Sequence, residues 1–165
     1  MVHSIPIIDI AEQRQLTGII GTDQTGRFPT ESARGHKYIF ILCDHDTNFI
    51  HGVPIKSRKT DELVRAFRES HTELVKCGFH PILHRIDNET SHDLIKAIES
   101  RGLQYETVPP GNHRRNPAER AIQSFKSHFI SIMNGLHKDY PVNGRDHIMP
   151  QMNLTLNLLR ECRIN

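Results

Sequence analysis

The sequence predicts an α/β domain in which a mixed sheet of five strands is flanked by helices. Three observations predict it. From Thr17 onward, short β-rich runs give way to helical periods in the order βββ-αβ-αβ-αα. The first three strands are joined by connections short enough for an antiparallel meander. The chain of 165 residues is one domain's worth, enough to bury a core without disulfides.

Residues 1–16 show no clear period and read as a lead-in segment. Thr17–Gln24 reads as a strand ending at Asp23, followed by a turn through Gly26 and Pro29. His36–Asp44 carries Tyr38, Ile39, Phe40, Ile41 and Leu42 in a row, the mark of a buried strand. Phe49–Ile55 is a third strand; Gly52 and Pro54 interrupt it and assign it to an edge. Thr60 is placed to cap a helix with Asp61 and Glu62 in its first turn. Leu63, Ala66, Phe67, Leu74 and Cys77 form that helix's apolar face, and Gly78 ends it. Pro81–Ile86 is a fourth strand ending at Asp87. Ser91 caps a short helix that buries Leu94 and Ile98 and stops at Gly102. Tyr105–Val108 is the fifth strand, closed by Pro109 and Pro110. A long helix spans Pro117 to Leu136, with Asn116 as its cap. The last helix starts at Asp146 with Met152, Leu156 and Leu159 on one side; Pro150 fits only near its first turn.

Composition limits the function classes. The chain is 36% apolar and 24% charged, shares found in globular domains. No run has the length to span a bilayer, and the start lacks a signal-peptide layout. The cysteines Cys43, Cys77 and Cys162 are odd in number and read as reduced, intracellular thiols. A net charge of +2 does not by itself call for nucleic acid. Lys56, Arg58 and Lys59 form one basic cluster; His113, Arg114, Arg115 and Arg120 form another. On charge alone both read as solvated surface.

Three acids occupy places where function collects. Asp23 ends the first strand, Asp87 ends the fourth, and Glu119 lies in the first turn of the long helix. Three carboxylates brought together repel one another, and such a cluster persists mainly with a bound cation. Hard oxygen ligands select Mg²⁺ or Mn²⁺. At about 100° per residue, Glu119, Gln123 and Lys126 fall within about 60° of arc, beside Asn116. The apolar stripe Ala118, Ile122, Phe125, Phe129, Met133 and Leu136 lies to one side of them. Asp44, Asp46 and Glu89 compete for the same role, and on pattern alone Glu89 is as good a ligand as Asp87.

These segments resemble a known family. Ile20–Asp23, His84-Arg85-Ile86-Asp87-Asn88-Glu89, and Arg114-Arg115-Asn116-Pro117-Ala118-Glu119-Arg120-Ala121-Ile122 are similar to the catalytic cores of retrotransposon and retroviral integrases. Arg34-Gly35-His36-Lys37-Tyr38 and Leu156-Asn157-Leu158-Leu159-Arg160 share the resemblance. It covers residues 17–165, which read as the core domain, and implies a ribonuclease H-like fold. It implies that Asp23, Asp87 and Glu119 are the catalytic residues and the ligands of two Mg²⁺ or Mn²⁺ ions. It implies that Arg114, Arg115, Asn116, Arg120, Gln123 and Lys126 face DNA. The implied reaction is in-line attack of water or a DNA 3′-hydroxyl on a phosphodiester, with the ions roughly 4 Å apart. The partners are retroelement ends and target DNA, with no membrane, in a homo-oligomer working in the nucleus. The chain's end at Asn165, within or just after a helix, reads as the edge of a fragment of a larger polyprotein or of a decayed copy.

Two readings from other classes stand beside this one: a nuclease of the same fold, and a non-catalytic DNA-binding or assembly fragment. The spacing of Cys77, His80 and His84 invites zinc, with only His71 near enough in sequence to be a fourth ligand. Against that, His84 belongs to a buried strand and Cys77 reads as a core thiol.

Overall fold

The structure, a computed structural model, describes residues 16–87, 90–108 and 117–161. The lead-in expected over 1–16 therefore lies, except for Leu16, outside the described residues. Five strands form one mixed sheet: β1 (Ile19–Gln24), β2 (Tyr38–Asp44), β3 (Ile50–Ile55), β4 (Leu83–Asp87) and β5 (Gln104–Val108). Their spatial order is β3-β2-β1-β4-β5, which puts β3 at an edge, as its glycine and proline require. The first three pair antiparallel, while β4 joins β1 and β5 joins β4 in parallel.

Helices α1 (Thr60–Lys76) and α2 (His92–Glu99) cover one face; α3 (Pro117–Gly135) and α4 (Arg145–Leu158) cover the other. Strand alternation divides β2 between the two layers. Phe40 and Leu42 pack with Phe67, Leu74, Leu94 and Ile98, whereas Ile39, Ile41 and Cys43 pack with Ile122, Phe125, Met149 and Met152. Such two-sided burial explains why β2 is apolar along its whole length.

Several local details depart from expectation. Lys59, not Thr60, is the N-cap of α1, and no side chain caps that end. Gly78 does end the helix, with φ at 88°, a conformation that costs glycine nothing. Cys77 is exposed at the C-cap rather than a core thiol. Ser91 caps α2 by accepting from the Leu94 amide, as expected. Pro150 lies inside α4, beyond its first turn. Leu159 is 78% exposed just past the helix end, and Met149 joins Met152 and Leu156 in the core instead.

The last helix also completes the sheet. Asn153 accepts from the Gly52 amide and donates to the Gly52 carbonyl, both at 2.9 Å. Asn157 does the same for Ile50, at 2.9 and 2.7 Å. Two side-chain amides thus stand where a sixth strand's backbone would, satisfying edge groups that are costly to bury unpaired. Arg145 and Asp146 are buried beneath the loop before β2. Arg145 donates to the carbonyls of Thr30 and His36, and Asp146 meets His36 Nδ1 at 2.9 Å. These bonds give His36 and Asn157, two residues of the sequence resemblance, structural employment.

His84 is wholly buried, stacked on Phe67, with its Nε2 at 2.9 Å from Thr22 Oγ1 and its Nδ1 unpartnered. Burial, followed by the charge of His71, pushes its pKa down to about 3. The unfolded chain, whose histidines titrate near 6.5, then binds more protons than the folded one between those values. Stability should fall as pH drops through that window, and burial of His51 and His71 adds to the same slope. Urea midpoints measured from neutral pH down to about pH 4.5 should decline, and less steeply in His84→Gln. Equal slopes in the two proteins would show that His84 is not the group responsible.

Candidate active site at the carboxylate edge

Asp23 and Asp87 come together through strand register. Ile19, Ile20 and Gly21 pair with Leu83, His84 and Arg85. Both strands run on beyond these paired residues, and the same offset matches Asp23, next to last in β1, to Asp87, last in β4. Asp23 is also the cross-strand partner of Ile41, whose side chain packs under α3. In-register neighbours share a face, so both aspartates project on the side that α3 covers. Both are exposed, as strand ends allow.

Glu119 enters from above. It is the third residue of α3 and is exposed, while Ala118, Ala121, Ile122 and Phe125 are buried against the sheet. Gln123 and Lys126 continue its stripe and are exposed, as is Arg120. Of the residues expected at this edge, Arg114, Arg115 and Asn116 lie outside the described residues, and so does Glu89.

Electrostatics tie the three acids to one another. The Asp23 carboxyl is held above its ordinary value, chiefly because the protein around it weakens its hydration. A hydrogen bond from the Gln24 amide, at 2.7 Å, pulls the other way. The charges of Asp87 and Glu119 both push it up, and Arg58 pulls it down. Asp23 therefore feels the charge of both Asp87 and Glu119. Carboxylate oxygens are the donor type that a hard divalent cation takes. Among the described residues, no group of three His, Cys, Asp or Glu side chains stands ready-made to hold a metal ion.

The competing acids have other tasks. Asp44 accepts from the amide and hydroxyl of Thr47, closing the turn after β2. Asp46 accepts from the Thr17 hydroxyl and the Gly18 amide, at 2.6 and 2.7 Å. A groove of about 860 Å³ lies elsewhere, along β3 between α1 and α4; none of the three acids lines it.

Sequence reasoning missed Arg58 at this edge. Its guanidinium carbon lies 5.0 Å from the centre of the Tyr38 ring, and its Nη2 donates to the Thr25 carbonyl at 2.9 Å. The signal was an arginine just past β3, whose end lies beside the start of β2 in an antiparallel pair. Read on charge, it dissolved into a surface cluster.

No family model matches the sequence, and no curated protein does. Solved structures do match. A chain of the simian T-cell lymphotropic virus intasome, solved in complex with the PP2A regulatory subunit B56 gamma, superposes with a TM-score of 0.71 at 16% identity. The match covers 89% of this chain, which spans about half the length (52%) of that one. The integrase catalytic core domain of HTLV-2, solved with magnesium in a dimeric form, matches at a TM-score of 0.65 and 16% identity over 89% of this chain and 92% of that one. The catalytic core domain of BIV integrase matches at 0.61 and 13% identity over 87% and 86%. At 13–16% identity these matches bear on the fold alone: the chain has the five-stranded, ribonuclease H-like α/β fold of integrase catalytic cores.

Proposed function

We propose that this chain is the catalytic core of a retroelement integrase, a polynucleotidyl transferase that processes DNA 3′ ends and joins them to target DNA. What supports the reading is the integrase-core fold with Asp23 and Asp87 near the ends of β1 and β4 and Glu119 in the first turn of α3, where the charges of Asp87 and Glu119 both bear on Asp23. In this reading the three carboxylates hold Mg²⁺ or Mn²⁺, in two ions. When bound, such ions supply Lewis-acid activation of oxygen at a phosphodiester. The protein's own residues position the strands. Lys126 and Arg120, with Arg114 and Arg115, neutralise phosphates without reading bases. Gln123 hydrogen-bonds the DNA from that stripe, and Asn116 is assigned the same role. A water or a 3′-hydroxyl forms the new P–O bond in line with the P–O bond that breaks, and no covalent enzyme intermediate arises. The HTLV-2 core was solved as a dimer and as a trimer, which supports a homo-oligomer here; its place of action in this reading is the nucleus.

One observation favours a second reading, a non-catalytic DNA-binding or assembly fragment: the absence, among the described residues, of a ready-made group of three metal donors. A single assay separates the readings. The chain is incubated with end-labelled duplex DNA in Mg²⁺ or Mn²⁺, with a chelator control. Metal-dependent joined products are expected. Cleavage without joining would leave a nuclease, and salt-sensitive binding without cleavage would leave the fragment.

A further inference from the structure

The loop after β3 brings a cation to the carboxylate edge and fixes it there. Most surface arginines sample many rotamers and contribute little directional binding. Arg58 is held on two sides. Its guanidinium stacks over Tyr38, the first residue of β2, and bonds the carbonyl of Thr25, the residue after β1. The loop beneath it is braced as well: the Lys56 amide donates to Glu62, and the Lys59 amide to Ser57. Arg58 thus crosses from the end of β3 to the end of β1, beside Asp23. Stacking and the Thr25 bond already meet the ordering cost that a phosphate contact would otherwise incur. A guanidinium has five donors in a planar fork, and one bond to a carbonyl leaves fork geometry for a phosphodiester.

We propose that Arg58 is a DNA-binding residue: it takes a backbone phosphate of the strand lying over the carboxylates, opposite the phosphate contacts of α3. Lys56 and Lys59 flank it as exposed charges. DNA would then lie between two cationic rails, the Arg120 and Lys126 side of α3 and the 56–59 loop, with the three acids between them. This inference rests on the reading of that edge as the DNA-joining site. A purely structural Arg58 is the rival: a brace that only ties the end of β1 to the start of β2. The two differ in sign at the metal. A cation beside Asp23 opposes binding of a second cation, so removing it should leave metal affinity intact or raise it, whereas loss of a needed brace should lower it.

The test compares wild type, Arg58→Ala and Arg58→Lys, with Glu119→Gln as control. Duplex DNA binding is followed by fluorescence anisotropy over a range of salt without divalent metal. Manganese binding without DNA is followed by electron paramagnetic resonance. Arg58→Ala should bind DNA several-fold more weakly, with a log–log salt slope shallower by about 1. Its manganese affinity should be unchanged or higher. Arg58→Lys should keep the slope, since the charge remains. Glu119→Gln should keep the slope while losing joining. An unchanged slope in Arg58→Ala, with wild type still joining DNA, would overturn the role of Arg58 alone. Weaker manganese binding together with a lower melting temperature in Arg58→Ala would establish the brace and overturn the contact. A wild type that neither joins nor binds DNA removes the joining-site reading, and the proposed contact goes with it.

Discussion

Asp23→Asn and Glu119→Gln should each cut metal-dependent DNA joining by at least about a hundredfold, while leaving the metal-free protein folded and, at neutral pH, more stable than wild type. Disturbing a partner in a metal's outer shell costs about 10–100-fold, so loss of a direct carboxylate belongs at or beyond the upper end. The gain in stability has a separate origin. Asp23 carries a raised pKa because of crowding and because Asp87 and Glu119 repel its charge. An acid whose folded pKa lies above its unfolded value destabilises the fold above that pKa. The penalty fades as pH falls through the raised value toward the ordinary one near 3.8. Asparagine keeps an oxygen for the Gln24 amide but never ionises, so its advantage in melting temperature should be present at neutral pH and vanish in acid. Calorimetry in chelator, run beside a joining assay, reads both. Joining that survives either substitution would end the catalytic assignment. A melting temperature that falls in Asp23→Asn at neutral pH would mean the acids are not repelling one another.

Most of the architecture was legible because its determinants are local or periodic. Two-sided burial of β2 shows as an unbroken apolar run, and the edge position of β3 shows in Gly52 and Pro54. Asp23, Asp87 and Glu119 could be singled out because strand ends and helix starts are readable. What could not be read was anything set by contact across distant segments. Nothing local says that Asn153 and Asn157 will bond the edge of β3, or that Asp146 will be buried on His36. Local reading also failed where two roles share one residue type. Cys77 fits a helical apolar stripe, yet it falls where α1 runs out from the sheet. Arg58 looked like any surface arginine until Tyr38 and Thr25, far away in the chain, closed around it.

The second large effect concerns how α3 is seated, and therefore where Glu119 points. Phe125→Ala should cost about 3–5 kcal/mol, the usual range for a buried aromatic truncated in a core. The ring is 1% exposed and lies directly over Gly52, where a β-carbon would come within 2.6 Å of it. That close approach explains a glycine in a strand, which packing otherwise disfavours. The same β-carbon would also stand 3.2 Å from the Ile39 side chain, so Gly52→Ala has no open space to use. It should cost about 1–3 kcal/mol through overpacking. The two changes are complementary in shape: one opens space where the other needs it. Combining Gly52→Ala with Phe125→Leu should therefore be less damaging than the sum of the single losses, by an interaction energy of about 0.5–3 kcal/mol. Urea denaturation of the four proteins in the cycle measures it. Strict additivity would show that Phe125 does not rest on Gly52 and that α3 is seated by other contacts. Joining activity should follow the cycle too, and fall further still in Phe125→Ala outside it, because Glu119 lies less than two turns up the helix and shifts with it.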